Sequence, residues 1–290
     1  MTSLWFAQLL RPRPGTYRKP AAAKLGLRQL EDRVTPAAFT VGNLVALRIG
    51  EGTASLNSAA TAVFLDEVNT GGTVAQSIAL PTTSSATAGS NRAMTDSGSA
   101  GSAGGLTRSQ DGRFLTAVGY NLTAGQLTVV ANTTAERVVG LVAQDGTVNS
   151  TTALPQTDAY NTNNIRSAAT ADGTSFYTSG TASTAALGGV RFVSALGGSS
   201  SVAVSSVPTN TRVVQLIGGQ LYVSSSSGAN IGINTVGTGT PTTSGQTTAL
   251  LPGVTPINSY DYILMDRSVT VPGVDTLYLA DQAAGLLKYS

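Results

Sequence analysis

The chain has 290 residues, 33 of them glycine, with 11% charged side chains and abundant Ser, Thr, Ala and Val. That composition favours short strands and tight turns, and the length suffices to bury a core without disulfides or metals. There is no Cys and no His, which excludes disulfide frameworks, thiolate and imidazole metal sites, iron-sulfur clusters, cysteine nucleophiles and His-dependent triads.

The formal charge of +2 is unevenly divided: residues 1–33 carry seven basic against two acidic side chains, and the remainder ten against thirteen. A weakly acidic body lacks the basic face expected of a nucleic-acid reader. The first segment also holds the only Trp and clusters Arg, Lys and Pro, so residues 1–37 read as a leader and residues 38–290 as the folded body. The apolar run Leu4 to Leu10 precedes the basic residues and is interrupted by Gln8, the reverse of a general secretory signal. No run approaches the roughly 18–20 apolar residues of a membrane span. Within Leu27 to Ala37, the residues Leu30, Glu31, Arg33, Pro36 and Ala37 resemble the Leu-Glu-x-Arg-x-x-Pro-Ala leader of exported planctomycete-type surface proteins. The resemblance implies an export or processing leader and a secreted or cell-surface protein; the alternative is a short amphipathic helix over Ala21 to Asp32.

In the body, Asn43 to Gly50, Ala62 to Asn69 and Thr73 to Leu80 read as strands, being short apolar runs bounded by Gly, Asn, Thr and Pro. Pro81 to Gly104 reads as a long Ser/Thr/Ala/Gly surface loop with few apolar anchors. Next come strands at 105–110 and 113–120 joined by Asp111-Gly112, then 137–143 and 147–154 joined by Asp145-Gly146. Asp-Gly tolerates the positive φ of a tight hairpin. The order recurs at 165–171, Asp172-Gly173, 174–180, 189–195 and 199–207, then at 211–217, Gly218-Gly219, 220–225, 230–237 and 247–251. A last unit runs through 260–266, a turn near Gly273, 276–280 and 285–290.

The first turn of each unit falls at 111, 172, 218 and 275, spaced by 61, 46 and 57 residues. Four antiparallel strands in such a repeat are the mark of a propeller blade. Burial of both sheet faces between blades also explains unbroken apolar runs such as Val138 to Ala143. The fold class is therefore all-β, a β-propeller of about four to five four-stranded blades, with a β-sandwich as the runner-up. The first unit shows three strands and the last stops before its fourth, so the expectation is an incomplete ring, shortened at its C-terminus. An unpaired sheet edge would then favour self-association. The stretches Leu106 to Asn121, Arg137 to Val148, Gly219 to Gly228 and Thr276 to Ser290 resemble a group of secreted, propeller-like proteins of uncharacterised function from planctomycete-type and related bacteria. The resemblance implies architecture and no particular activity.

Catalysis would have to use Asp, Glu, Lys, Arg, Ser or Tyr. Paired carboxylates could cleave glycosides, but Asp66, Glu67, Asp261, Asp266 and Asp281 form no recognisable spacing. Asp111, Asp145 and Asp172, with Gly112, Gly146 and Gly173 and the pair Gly218 and Gly219, read as turn residues, since no calcium-loop pattern accompanies them. Arg166 and Arg212 each lie six residues before the first turn of their unit, on what would be innermost strands, where they could hold an anionic ligand or bind the neighbouring blade. Arg108, three residues before its turn, would face the other way. Gly237-Thr238-Gly239 precedes no helix and is no phosphate loop. Neither a cofactor nor a metal is called for. The expected function is a binding or scaffold module for a carbohydrate or surface protein, against a carboxylate-based carbohydrate-active enzyme or a structural envelope component.

Overall fold

The computed structural model describes residues 37–254 and 258–290. The expected leader, except for Ala37, lies outside the described residues. Strands appear where apolar runs meet turn residues. The first sheet contains β1 (Leu44–Ile49), β3 (Val63–Val68) and β4 (Val74–Ala79). A small ladder pairs β2 (Ala60–Thr61) with β5 (Asp96–Ser97). The second sheet runs β6 (Thr107–Arg108), β7 (Phe114–Tyr120), β8 (Arg137–Ala143) and β9 (Val148–Leu154), in that spatial order. The third runs β10 (Ile165–Ala169), β11 (Phe176–Gly180), β12 (Gly189–Val193) and β13 (Val202–Ser205). The fourth runs β14 (Thr211–Ile217), β15 (Gln220–Ser225), β16 (Gly232–Val236) and β17 (Thr248–Leu250). The fifth holds β18 (Ser259–Met265), β19 (Thr276–Asp281) and β20 (Gly285–Tyr289). These five antiparallel sheets are arranged as a five-bladed β-propeller. Among the described residues the helical structure is two single 3-10 turns, at 185–187 and 228–230, and no helix is long and apolar enough to cross a membrane.

The tight turns have a common cause. Gly112, Gly146 and Gly173 sit at φ of 75°, 81° and 86°, in the left-handed region that a side chain disfavours. The preceding aspartate closes each turn by accepting the amide two residues on: Arg113 N to Asp111 at 3.0 Å, Thr147 N to Asp145 at 2.9 Å and Thr174 N to Asp172 at 3.0 Å.

Apolar clusters join consecutive blades. Val63, Leu65 and Ile78 of the first pack with Ala117, Val138 and Val142 of the second. Val118, Val139 and Leu141 of the second pack with Ile165, Phe176 and Val193 of the third. Tyr177 and Val204 of the third meet Val214 and Val223 of the fourth, and Tyr222 and Ile233 of the fourth meet Tyr262 and Leu279 of the fifth. β8 thus buries Val138 and Val142 on one side and Val139 and Leu141 on the other. An unbroken run is required there, because alternate residues serve two different cores.

The segment from Pro81 to Gly104 differs from the expected surface loop. Its middle, Arg92 to Ser97, is buried. Met94 N bonds the Pro81 carbonyl at 2.7 Å, and Thr95 exchanges backbone bonds with Tyr120. Room for this insertion comes from glycines: a Cβ at Gly140 would lie 2.3 Å from Met94 Sδ, and one at Gly119 3.0 Å from the Met94 backbone. Small side chains whose polar atoms bond backbone groups allow a polar-looking stretch to enter the core.

Candidate functional site

In each four-stranded sheet the first strand begins at the same end as the connection between its second and third strands, while the Asp-Gly hairpins lie at the opposite end. The strand-start end gathers buried charge. Arg166, the second residue of β10, and Arg212, the second residue of β14, are each 8% exposed, and Arg137, the first residue of β8, is fully buried. Each reaches toward the chain leading into the next blade. Arg137 donates to the carbonyls of Ala135 at 2.6 Å, Val130 at 3.0 Å and Asn163 at 2.9 Å. Arg166 donates to Asn210 Oδ1 and to the Thr211 carbonyl at 2.9 Å. Arg212 donates to the Ser259 carbonyl at 3.1 Å.

Two tyrosines complete the arc. The Arg212 guanidinium lies 4.2 Å from the centre of the Tyr260 ring, and that of Arg137 lies 5.0 Å from the centre of the Tyr120 ring. Tyr120 OH donates to Asn164 Oδ1 at 3.4 Å. Asn163 and Asn210, which accept from Arg137 and Arg166, are half-buried, as are Asn164 beside Tyr120 and Asn258 next to Ser259.

The charges are not neutralised by carboxylates. Among the described residues the ion pairs are Arg48–Asp66, Arg92–Glu136, Arg113–Asp111 and Arg191–Asp158. Arg137, Arg166 and Arg212 belong to none of them, and the Nε of all three is buried without a hydrogen-bond partner. Burial lowers the Arg137 pKa to about 10. It also lowers Arg166 to about 10, with the neighbouring Arg212 charge adding to the effect. Arg212 is likewise lowered by burial, opposed by Tyr260. All three remain cations at neutral pH, so carbonyl dipoles and aromatic faces solvate charge that would elsewhere be paired.

No family model, curated protein or solved structure matches this chain. Geometry and charge alone therefore define what these residues can hold.

Asp96, on β5, is 1% exposed. Its carboxylate accepts the Ser97 amide at 2.7 Å, and burial raises its pKa to about 7 against that bond. Burial raises the Tyr120 hydroxyl well above its ordinary range, with the Asp96 charge contributing and Arg137 and Arg166 opposing.

Of the three arginines singled out in the sequence, Arg166 and Arg212 come together here. Arg108 does not: it sits at the hairpin end, exposed, and donates from Nε and Nη2 to the Gly112 carbonyl at 3.1 and 3.0 Å. Arg137, Tyr120, Tyr260 and Asp96 escaped sequence reasoning. Arg137 heads the apolar run of β8 and Asp96 lies in a small-residue stretch, so neither carries a local motif. The usable signal was an arginine placed against a run buried on both faces.

Four of the five acidic residues weighed for catalysis are held by separate hydrogen-bond partners. Asp66 accepts Arg48 Nε at 2.6 Å and the Ser77 hydroxyl at 2.5 Å. Glu67 points to the other side of β3, where Gln76 and Asn43 donate at 2.6 Å each and the Thr40 amide at 2.7 Å. Asp261 accepts the Tyr262 amide at 2.7 Å, and Asp281 caps the β19–β20 turn through the amides of Ala283 and Ala284. None of these four carboxylates shares a hydrogen-bond partner with another.

Proposed function

We propose that the chain is a binding module that holds an acidic carbohydrate at the strand-start end of its propeller, outside the cell. One observation carries this reading: three guanidiniums from adjacent blades lack carboxylate partners, and two of them, Arg166 and Arg212, keep an 8% exposed edge. A largely buried cation without a counter-ion is costly, and an anion bound at the exposed edges of Arg166 and Arg212 relieves that cost. Guanidinium presents a planar fork matched to carboxylate or sulfate. The half-buried Asn163 and Asn210 that bond these arginines also carry donors and acceptors suited to sugar hydroxyls. Placement outside the cell rests on the resemblance of Leu30, Glu31, Arg33, Pro36 and Ala37 to an export leader.

The test compares oligosaccharides bearing uronate or sulfate with neutral ones of equal length. It uses the full chain and a variant carrying Arg166→Gln and Arg212→Gln, with circular dichroism confirming that the variant is folded. Selective binding of the acidic series that weakens about tenfold or more in the variant is the expected result, since charge-assisted hydrogen bonds are the strong ones. Equal binding of neutral and acidic sugars, or acidic binding unchanged in the folded variant, would count against the proposal.

A further inference from the structure

A cavity opens at the same end of the second blade, between the segment after β4 and the connection from β7 to β8. It has a volume of ≈ 690 Å³ and is lined by Ser84, Ser85, Asn121, Gln126, Leu127 and Asn132, among others. That size falls in the range of roughly 300–1,000 Å³ typical of ligand sites. No charged or aromatic side chain lines it, which separates its chemistry from that of the arginine arc.

We propose that this cleft is a subsite for an uncharged sugar residue of the carbohydrate whose acidic residue binds at the arginines. The inference rests on that reading of the function and deepens it.

The walls are built in advance. Asn121 Oδ1 accepts the amides of Ser85 at 3.0 Å and Ala93 at 3.2 Å, and its Nδ2 donates to the Ser85 carbonyl at 2.6 Å and to Glu136 at 2.8 Å. One side chain thus ties the two walls together. Asn132 Oδ1 accepts from Thr134 N at 2.9 Å, Thr134 Oγ1 at 3.0 Å and Ala135 N at 2.8 Å. Its Nδ2 makes no hydrogen bond among the described residues. The Gln126 side chain is exposed and unbonded likewise. Leu127 is 78% exposed beside it, and the next residue, Thr128, is held at φ 59°. A non-glycine residue held in the left-handed region is a strained conformation of the kind that clusters at ligand clamps.

These groups match the two faces of a neutral pyranose. Amides can exchange hydrogen bonds with hydroxyls, and an exposed aliphatic side chain can cover the C–H face. Continuity with the arginine arc runs through Arg137, whose guanidinium donates to the carbonyl of Ala135, a residue of the cleft wall. Asn121 also directly follows Tyr120.

Gln126→Ala and Leu127→Ala remove side chains exposed to solvent, so both variants should fold as the parent does. Titration of the full chain with neutral tetrasaccharides built from glucose, galactose, mannose or N-acetylglucosamine, followed by calorimetry, reads the cleft alone. At least one of them is expected to bind, about fivefold or more weaker in each variant, as loss of one hydrogen bond or apolar contact implies. The Arg166→Gln, Arg212→Gln protein is expected to bind that neutral sugar as the parent does. Failure of all four neutral sugars to bind, or binding unchanged in both cleft variants, would overturn the subsite. Loss of acidic binding without change in neutral binding marks the arginine site separately, so the two ideas can fail independently.

Discussion

Replacing Asp96 with Asn should remove part of the pH dependence of stability. The carboxyl is 1% exposed and receives one hydrogen bond, from the Ser97 amide at 2.7 Å, which the Asn side-chain oxygen can still accept. Its pKa is raised from the ordinary 3.8 to about 7, by burial. A carboxyl with a raised folded-state pKa gives up nothing below pH ~4, where both states are protonated. Between pH ~4 and ~7 the unfolded chain ionises while the folded one keeps its proton, so stability falls as pH rises, and above ~7 the loss is constant. Each pH unit is worth about 1.36 kcal/mol, so the full loss is roughly 4 kcal/mol. The other acids titrate in both proteins and cancel in the difference. Urea unfolding of wild type and Asp96→Asn at pH 4, 6 and 8 should show near-equal stabilities at pH 4 and an advantage to the variant that grows to a few kcal/mol at pH 8. Parallel stability curves across that range would refute the assignment of Asp96 as an uncompensated buried carboxyl.

Three further outcomes follow from packing and hydrogen bonding. Gly180→Ala would place a Cβ 2.2 Å from the Asn164 carbonyl oxygen, an overpacked contact against backbone that should destabilise by about 1–3 kcal/mol in the same assay; a change within about 0.5 kcal/mol would contradict it. Ser167→Ala removes a hydroxyl that bonds Ser179 at 2.7 Å and the Arg212 carbonyl at 3.0 Å and accepts Val214 N at 2.8 Å. Leaving Val214 N unbonded between blades should cost about 1–3 kcal/mol, and a neutral substitution would remove the hydroxyl from the inter-blade contact. Asp66→Asn should cost less than about 1 kcal/mol because its partner Arg48 is partly exposed. Hydrogen bonding to Arg48 lowers the Asp66 pKa, so this small contribution is present above the carboxylate range and disappears as pH falls through it; a difference that persists in acid would contradict the pairing.

Much of the fold could be read from local sequence because its determinants are local. Asp111-Gly112, Asp145-Gly146 and Asp172-Gly173 set positive φ and close their own turns, and the runs between them form the strands. The apolar residues of β8 required two partners, and the blades on either side supply them. The buried passage of Arg92 to Ser97 could not be read in the same way. Thr95 is satisfied by the carbonyl of Leu122 at 2.8 Å, and Met94 fits against glycines at 119 and 140. Those partners are distant in sequence, so composition alone describes the stretch as a surface loop. The site divides similarly. Equal spacing from a turn brought out Arg166 and Arg212, whereas the same logic gave Arg108 no companion and passed over Arg137. Each of the three unpaired arginines is defined by a carbonyl of the chain entering the following blade, at Asn163, Thr211 and Ser259, and tertiary structure is needed to see that.

The carboxylate-free guanidiniums of Arg166 and Arg212, each with an exposed edge, are proposed to make the strand-start end an anion-recognising surface. Calorimetric titration of the full chain with an oligouronate and with its methyl ester tests it most directly, because the two ligands differ chiefly in charge. The account predicts that the acid binds and the ester binds about tenfold or more weakly, with the acid's affinity declining as salt is raised. Equal affinities for acid and ester, or no binding of the acid at low salt, would contradict it.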